Sequence, residues 1–108
     1  MNPLFKPLTI ATAPEGSKAV LEHLQKSLGF IPNLMAIFAN NPTVLQGYLA
    51  LEDVYERSSF TPRERQIVLL ATSVENDCNY CTAAHSTTAK TFLFTPGEAR
   101  KIFSALSA

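Results

Sequence analysis

The chain has 108 residues, of which 46% are hydrophobic and 17% charged, and nine basic and nine acidic residues balance to a net charge of zero. A chain of this length predicts one domain. The balanced charge provides no attraction to nucleic acid or an anionic membrane, and the longest apolar run, near residues 67–71, is too short to span a bilayer. The first residues lack a long apolar segment, so we expect no signal peptide and a cytoplasmic location.

The hydrophobic share is high for so short a chain. A domain of this size buries only roughly 60–65% of the surface that its unfolded chain exposes. Apolar surface is therefore left over after folding, and contact between subunits is the usual way to cover it. We expect a homo-oligomer.

The first half of the sequence predicts helices separated by proline and glycine. Residues 1–15 contain three of the seven prolines and predict an extended arm. Ser17 is expected to cap a helix over residues 18–28, and Gly29 to end it. The buried face of this helix is predicted to hold Val20, Leu21, Leu24 and Leu28. A short helix is expected to begin with Pro32.

The central helices have clearer start signals. Asn41-Pro42 predicts the start of a helix to about residue 57, with a buried stripe of Val44, Tyr48, Leu51 and Tyr55. The segment 61–64 (TPRE) matches a capping box with proline at the first helical position. The helix after it is predicted to bury Ile67, Leu70, Ala71 and Val74. Asn76-Asp77 should end it, and a new helix should open at or near Cys78.

The last part of the chain predicts a connector and one more helix. Residues 91–95 (TFLFT) are apolar and predict a packed connector. Thr95 begins a second capping box, TPGE, and the final helix is expected to bury Ile102, Phe103 and Leu106. Together these patterns predict an all-α, single-domain bundle of about five to six short helices.

The segment with the most reactive side chains contains both cysteines of the chain, Cys78 and Cys81, followed by His85. In a helix these spacings lie on one face, so we expect the three side chains to form one stripe. With Asn76 or Asp77 as the N-cap, Cys78 would lie in the first turn, where the helix dipole favours a thiolate. In a cytoplasmic protein, this spacing indicates redox or metal chemistry more than a structural disulfide.

Two thiols and an imidazole are the groups needed to reduce a hydroperoxide. A thiolate attacks the peroxide and becomes a sulfenic acid, and the second thiol condenses with it to give a disulfide and water. His85 can take the thiol proton or deliver a proton to the leaving oxygen. An external dithiol must then reduce the disulfide. No metal or organic cofactor is required on the chain.

Three blocks of the sequence have a family resemblance: residues 29–34 (GFIPNL), 61–68 (TPRERQIV) and 78–86 (CNYCTAAHS). Over roughly residues 30–89 the chain resembles the alkylhydroperoxidase D-like branch of the carboxymuconolactone decarboxylase family. The resemblance implies an all-helical fold that assembles as a trimer or hexamer. It also implies a peroxidase that reduces organic hydroperoxides and is recharged by a lipoylated partner protein or another dithiol reductant.

By the same resemblance, Cys81 is the peroxidatic cysteine, Cys78 is the more exposed resolving cysteine and His85 belongs to a proton relay. The relay of characterised peroxidases includes a glutamate twelve residues before the first cysteine, and Gln66 holds that position here. An amide cannot transfer a proton as a carboxylate does, so peroxidase activity is expected to suffer. Glu75, three residues before Cys78, is the candidate substitute.

A second difference from the family is length. Related chains continue for further helices, whereas this sequence ends 23 residues after His85. Two expectations follow from the comparison: a neighbouring subunit completes the fold, or the chain is a shortened member with reduced activity.

Three other interpretations of the sequence stay open. A helical oligomerisation module could use the thiols to sense redox state, or could leave them unused. A zinc site could take Cys78, Cys81 and His85 as ligands, with Glu75 or His23 as the fourth, although the second ligand pair of most structural zinc sites is absent. A lactone decarboxylase is disfavoured, because that branch of the family usually lacks the paired cysteines.

Overall fold

The computed structural model of the protein describes residues 4–90 and 96–107. These residues form no strands and six helices, which are α1 (Glu15–Leu28), α2 (Asn33–Phe38), α3 (Pro42–Glu56), α4 (Pro62–Glu75), α5 (Asn79–Ala89) and α6 (Pro96–Ser107). The predicted all-α fold of five to six short helices is therefore confirmed. None of the described helices is both long and apolar enough to cross a membrane.

The chain folds into two compact units, Met1–Tyr55 and Glu56–Ala108. The single-domain organisation and the homo-oligomer both stay predictions. The connector at residues 91–95, the capping box at Thr95 and the side chains of Phe103 and Leu106 lie outside the described part of the chain.

The first unit has a core to which α1, α2 and α3 all contribute. Its buried members are Ala13, Leu21, Leu24, Met35, Ala39 and Leu45. The face that α3 buries differs from the prediction, because Leu45 is fully buried while Val44 and Leu51 are 46% and 68% exposed. The predicted stripe of α3 is therefore wrong at Val44 and Leu51, whereas Tyr48 is partly buried against this core as predicted.

The start of α1 also differs from the prediction. The helix begins at Glu15, and Ser17 lies buried inside its first turn. The Ser17 hydroxyl donates a hydrogen bond to the backbone carbonyl of Ala39, 2.8 Å away, so this side chain joins α1 to the end of α2 and does not cap α1. Leu28, predicted to be buried, is 51% exposed. Gly29 ends α1 as predicted, with φ of 82° in the left-handed region that favours glycine.

The second unit is organised around α4. The Thr61 hydroxyl accepts a hydrogen bond from the N–H of Glu64 at 3.1 Å, and the Glu64 carboxylate accepts one from the N–H of Thr61 at 2.8 Å. These bonds confirm the predicted capping box, and the bond that the Thr61 N–H donates to the Glu64 carboxylate lowers the pKa of Glu64. Helix α4 packs against both α5 and α6. The core between the three helices contains Ile67, Leu70, Ala89 and Ala99, with Ile102 partly buried against it.

Candidate functional site

The two cysteines lie at the start of α5 and are joined by a disulfide bond, with their Cα atoms 5.3 Å apart. That separation lies within the usual range for a disulfide. Both side chains are half-buried, so neither sulfur is enclosed in the core. The structure therefore brings together the two sulfurs that the sequence pattern placed on one stripe.

A Schellman turn at the end of α4 positions Cys78. The N–H of Cys78 donates to the carbonyl of Ser73 at 3.0 Å, and the N–H of Asp77 donates to the carbonyl of Val74 at 3.1 Å. Asp77 has φ of 52°, in the left-handed region that aspartate and asparagine tolerate better than most residues. Backbone hydrogen bonds thus hold Cys78 directly against the end of α4.

Cys78 is itself the N-cap of α5. Its backbone is extended, and its Sγ accepts a hydrogen bond from the N–H of Cys81, with 3.3 Å between nitrogen and sulfur. A serine or aspartate N-cap uses the same acceptor position. The prediction that Asn76 or Asp77 caps α5 is wrong, because these two residues complete the C-terminal turn of α4.

His85 follows Cys81 by one turn of α5, a spacing that places both residues on the same side of the helix. The imidazole is half-buried, and this burial lowers the pKa of His85 because desolvation disfavours the charged ring. The ring is therefore neutral at neutral pH. A neutral imidazole can accept a proton at one nitrogen, as a general base must.

Comparison with known proteins identifies the family. The model of the carboxymuconolactone decarboxylase family matches residues 42–107, which is more than half of the chain. The chain belongs to the carboxymuconolactone decarboxylase family. The matched region runs from α3 to α6 and contains the disulfide and His85. A search of curated proteins finds no match. The predicted family is confirmed, and the assignment to its alkylhydroperoxidase D-like branch stays a prediction.

Gln66 occupies the position at which the family resemblance predicts a relay glutamate. It lies in the second turn of α4, the helix that packs against α5. Its Oε1 atom is buried and has no hydrogen-bond partner among the described residues. Leaving a buried polar atom unpaired costs roughly 1–3 kcal/mol, so such atoms call for an explanation. The Gln66 amide oxygen is available to accept a hydrogen bond.

Glu75, the candidate substitute acid, lies in the last turn of α4 and forms an ion pair with Arg100 of α6, with 2.9 Å between Nη2 and Oε2. Both side chains are more than half exposed, so we expect this pair to contribute at most about 1 kcal/mol to stability. The pair nevertheless engages the Glu75 carboxylate. Sequence reasoning missed Arg100, because the two residues lie 25 positions apart on different helices.

A zinc site would require both cysteines in the reduced form. Zinc binds thiolates, and the disulfide-bonded sulfurs of Cys78 and Cys81 carry none. Within residues 4–90 and 96–107, no group of three or more His, Cys, Asp or Glu side chains is arranged to hold a metal ion. His23, one predicted fourth ligand, is an exposed residue of α1 whose Nε2 lies 3.4 Å from the Ser27 hydroxyl.

The first unit contains a cavity of about 500 Å³ that the sequence did not predict. Residues 7–11 form one wall, and the N–H of Leu8 donates to the carbonyl of Ala36 at 3.0 Å. This bond attaches the predicted N-terminal arm to α2. The cavity is lined by Pro7, Leu8, Thr9, Ile10, Ala11, Gln25, Ile31, Asn33 and Ala36. No lining residue carries a charge or a thiol, so the cavity has no group suited to redox or acid–base chemistry.

Proposed function

We propose that the protein is a thiol peroxidase in which Cys78 and Cys81 alternate between dithiol and disulfide and reduce a hydroperoxide to an alcohol. The observation that supports this most directly is the disulfide at the N-terminus of α5. A half-buried, neutral His85 on the same helix adds a group that can move a proton. The family match covers this whole segment.

In the oxidative half of the cycle, a thiolate of the pair attacks an oxygen of the hydroperoxide. The O–O bond breaks, the alkoxide takes up a proton and leaves as an alcohol, and the attacking sulfur becomes a sulfenic acid. The second thiol attacks that sulfur, the S–S bond forms and the hydroxyl group leaves as water. His85 accepts the proton of a thiol and returns it to a leaving oxygen.

In the reductive half of the cycle, a dithiol reduces the disulfide by two thiol–disulfide exchanges and is itself oxidised. We propose a lipoylated protein or another dithiol protein as this partner. A cytoplasmic location would supply such reductants, because that compartment keeps thiols reduced. We also propose that the protein assembles as a homo-oligomer, either a trimer or a hexamer.

The test is the stoichiometry between thiols and peroxide. Reduced protein is mixed with an organic hydroperoxide, and free thiols are counted before and after. We expect two thiols to disappear for each peroxide consumed, and dithiothreitol to restore them. The double variant Cys78→Ser/Cys81→Ser is the matched control and should consume none. Thiols that remain intact in the presence of excess peroxide would refute the proposal.

Gln66 provides a second test through the substitution Gln66→Glu. A carboxylate at this position can transfer a proton, and positioned acid–base groups contribute typically 10²–10⁴-fold to a rate. We expect peroxide consumption to be about 100-fold faster, the low end of that range. Gln46→Glu, at an exposed position of α3, is the control and should leave the rate unchanged. Equal rates for both variants would exclude position 66 from the relay.

A redox-sensing module is the second candidate function, and two observations favour it. Gln66 offers an amide where the relay needs a carboxylate, and the Glu75 carboxylate is engaged by Arg100. Such a module would form its disulfide reversibly without steady-state turnover. Sustained peroxide consumption with a dithiol reductant would reject this candidate, whereas a single round of oxidation followed by no turnover would favour it.

A further inference from the structure

Helix α3 presents an apolar face to solvent in addition to the face that it packs into the core of the first unit. Val44, Leu51 and Val54 are 46%, 68% and 56% exposed. Gly47, which lies between Val44 and Leu51, is exposed as well. Their spacing of three, four and three residues places all four on one side of the helix, and together they form the α3 stripe. Contiguous exposed apolar surface on a protein marks a place where a partner binds.

Gly47 lies in the interior of α3, although no contact within the described part of the chain requires a glycine there. A Cβ atom at this position would meet no atom within 4 Å outside its chain neighbours and the backbone of its own helix. A glycine inside a helix is destabilising relative to alanine. The folded chain by itself therefore gives no reason for this residue. On an exposed apolar face, a glycine leaves room for a large side chain of a partner to approach the helix backbone closely.

The order of residues in the α3 stripe matches a second copy of the same stripe that runs in the opposite direction. Val44 and Val54 lie five residues before and after Leu49, and Gly47 and Leu51 lie two residues before and after it. When two antiparallel helices pack about a two-fold axis at the level of Leu49, positions equally distant from this residue face each other. Leu51 of each copy then lies opposite Gly47 of the other, and Val44 lies opposite Val54. The large side chain of one copy thus meets the residue without a side chain in the other.

The charges of α3 favour the same antiparallel arrangement. Its acidic residues, Glu52, Asp53 and Glu56, all lie in the C-terminal part of the helix, and the helix contains no basic residue. Two parallel helices would bring these carboxylates together, whereas antiparallel helices place them at opposite ends of the pair. Antiparallel packing also sets each helix N-terminus near a C-terminus, which the helix dipoles favour. None of the acidic residues belongs to the α3 stripe, so pairing the stripes buries no charge from it.

We propose that the α3 stripes of two copies of the chain pack against each other as an antiparallel helix pair about a two-fold axis. This inference rests on the homo-oligomer in the proposed function and is independent of the thiol chemistry. A trimer with three-fold symmetry contains no two-fold axis, whereas a hexamer built from two such trimers does. The α3 stripe therefore predicts an even number of subunits, and of the two proposed assemblies it selects the hexamer.

The test is the mass of the assembly, measured by size-exclusion chromatography with multi-angle light scattering. We expect native protein to contain an even number of subunits of 11.8 kDa. Gly47→Leu places a side chain where Leu51 of the other copy packs, so the mass should fall to half or less. The variant should fold, because the position is open within its own chain and leucine favours a helix more than glycine does. A native monomer or trimer, or an unchanged mass in Gly47→Leu, would overturn the proposal.

Two further variants distinguish a loss of complementarity from a general effect of the substitution. Gln46→Leu adds the same side chain at an exposed position on the polar side of α3, and it should leave the mass unchanged. Gly47→Leu/Leu51→Gly exchanges the large and the small residue, so each leucine again faces a glycine and the native mass should return. Circular dichroism verifies that each variant is folded, and Gly47→Leu/Leu51→Ala replaces the double variant if it is not. A folded double variant that keeps the reduced mass of Gly47→Leu would contradict the antiparallel register.

Peroxide consumption by the same variants separates this inference from the proposed function. The mass measurement needs neither peroxide nor free thiols, so a protein without peroxidase activity still tests the α3 stripe. An odd number of subunits together with the expected loss of two thiols per peroxide would reject the stripe and leave the peroxidase supported. An even-numbered assembly that Gly47→Leu divides, together with intact thiols in excess peroxide, would support the stripe and reject the peroxidase.

Discussion

Replacing Cys78 by alanine and by serine separates the structural role of this residue from its chemical role. Both variants lose the disulfide to Cys81. Serine retains a side-chain acceptor for the N–H of Cys81, which lies 3.3 Å from Sγ in the native protein, and alanine does not. Loss of an N-cap acceptor costs about 0.5–2 kcal/mol. We therefore expect Cys78→Ala to be less stable than Cys78→Ser by about 1 kcal/mol.

Urea unfolding monitored by circular dichroism measures this difference, with reduced native protein in dithiothreitol as the reference. The denaturant slope of a small protein is about 1–3 kcal/mol per molar urea, so the two midpoints should differ by about 0.3–1 M. The reducing conditions remove any contribution of the disulfide from the comparison. Coincident midpoints would show that the side chain of residue 78 contributes no cap to α5.

Two further predictions concern His85 and the start of α4. In the folded protein, burial lowers the pKa of His85 below its ordinary value of 6.5. As the pH falls below about 6.5, the unfolded chain therefore binds a proton at His85 before the folded protein does, and the folded protein loses stability. The urea midpoint should therefore fall with pH in native protein and in the control His23→Gln, and fall less in His85→Gln; identical slopes would contradict this. Thr61→Ala should cost about 1 kcal/mol through the lost cap, whereas Thr72→Ala, exposed in the same helix, should change stability by less than about 0.5 kcal/mol; equal losses would count against the capping box.

Helix boundaries could be predicted where one short motif contains all the groups that form the boundary. The reciprocal hydrogen bonds of Thr61 and Glu64 lie within four residues, so the sequence alone identifies the start of α4. Gly29 ends α1 because its own backbone adopts the left-handed conformation. These features depend on local chemistry and need no knowledge of the tertiary structure.

Helix faces and side-chain partners were harder to predict, because they depend on distant residues. Helix α3 has apolar residues on more than one side, and only packing in the first unit determines that Leu45 is buried and Leu51 exposed. The same limit applies to Ser17. Its hydroxyl could have capped α1, but it bonds the carbonyl of Ala39, 22 residues away.

The candidate site was predictable in its reactive groups but not in their environment. The spacing of Cys78 and Cys81 correctly indicated a pair of sulfurs within bonding reach. It did not reveal the ion pair of Glu75 with Arg100, because nothing local relates those two residues. The sequence predicts Asn76 or Asp77 as the N-cap of α5, because asparagine and aspartate are common N-caps. Both residues belong to the Schellman turn that ends α4, so the residue that caps α5 is Cys78.

Cys78 is both the N-cap of α5 and one of the two sulfurs of the disulfide, so the cap hydrogen bond affects the redox cycle. A hydrogen bond to a charged acceptor is roughly twice as strong as one between neutral groups, so the N–H of Cys81 should bind a Cys78 thiolate more strongly than a disulfide sulfur. A thiolate held at this cap would stabilise the reduced pair relative to the oxidised pair, and a disulfide whose reduced form is stabilised is easier to reduce. The short turn between α4 and α5 would then favour a disulfide that a dithiol can reopen, which turnover requires and a permanent structural crosslink does not.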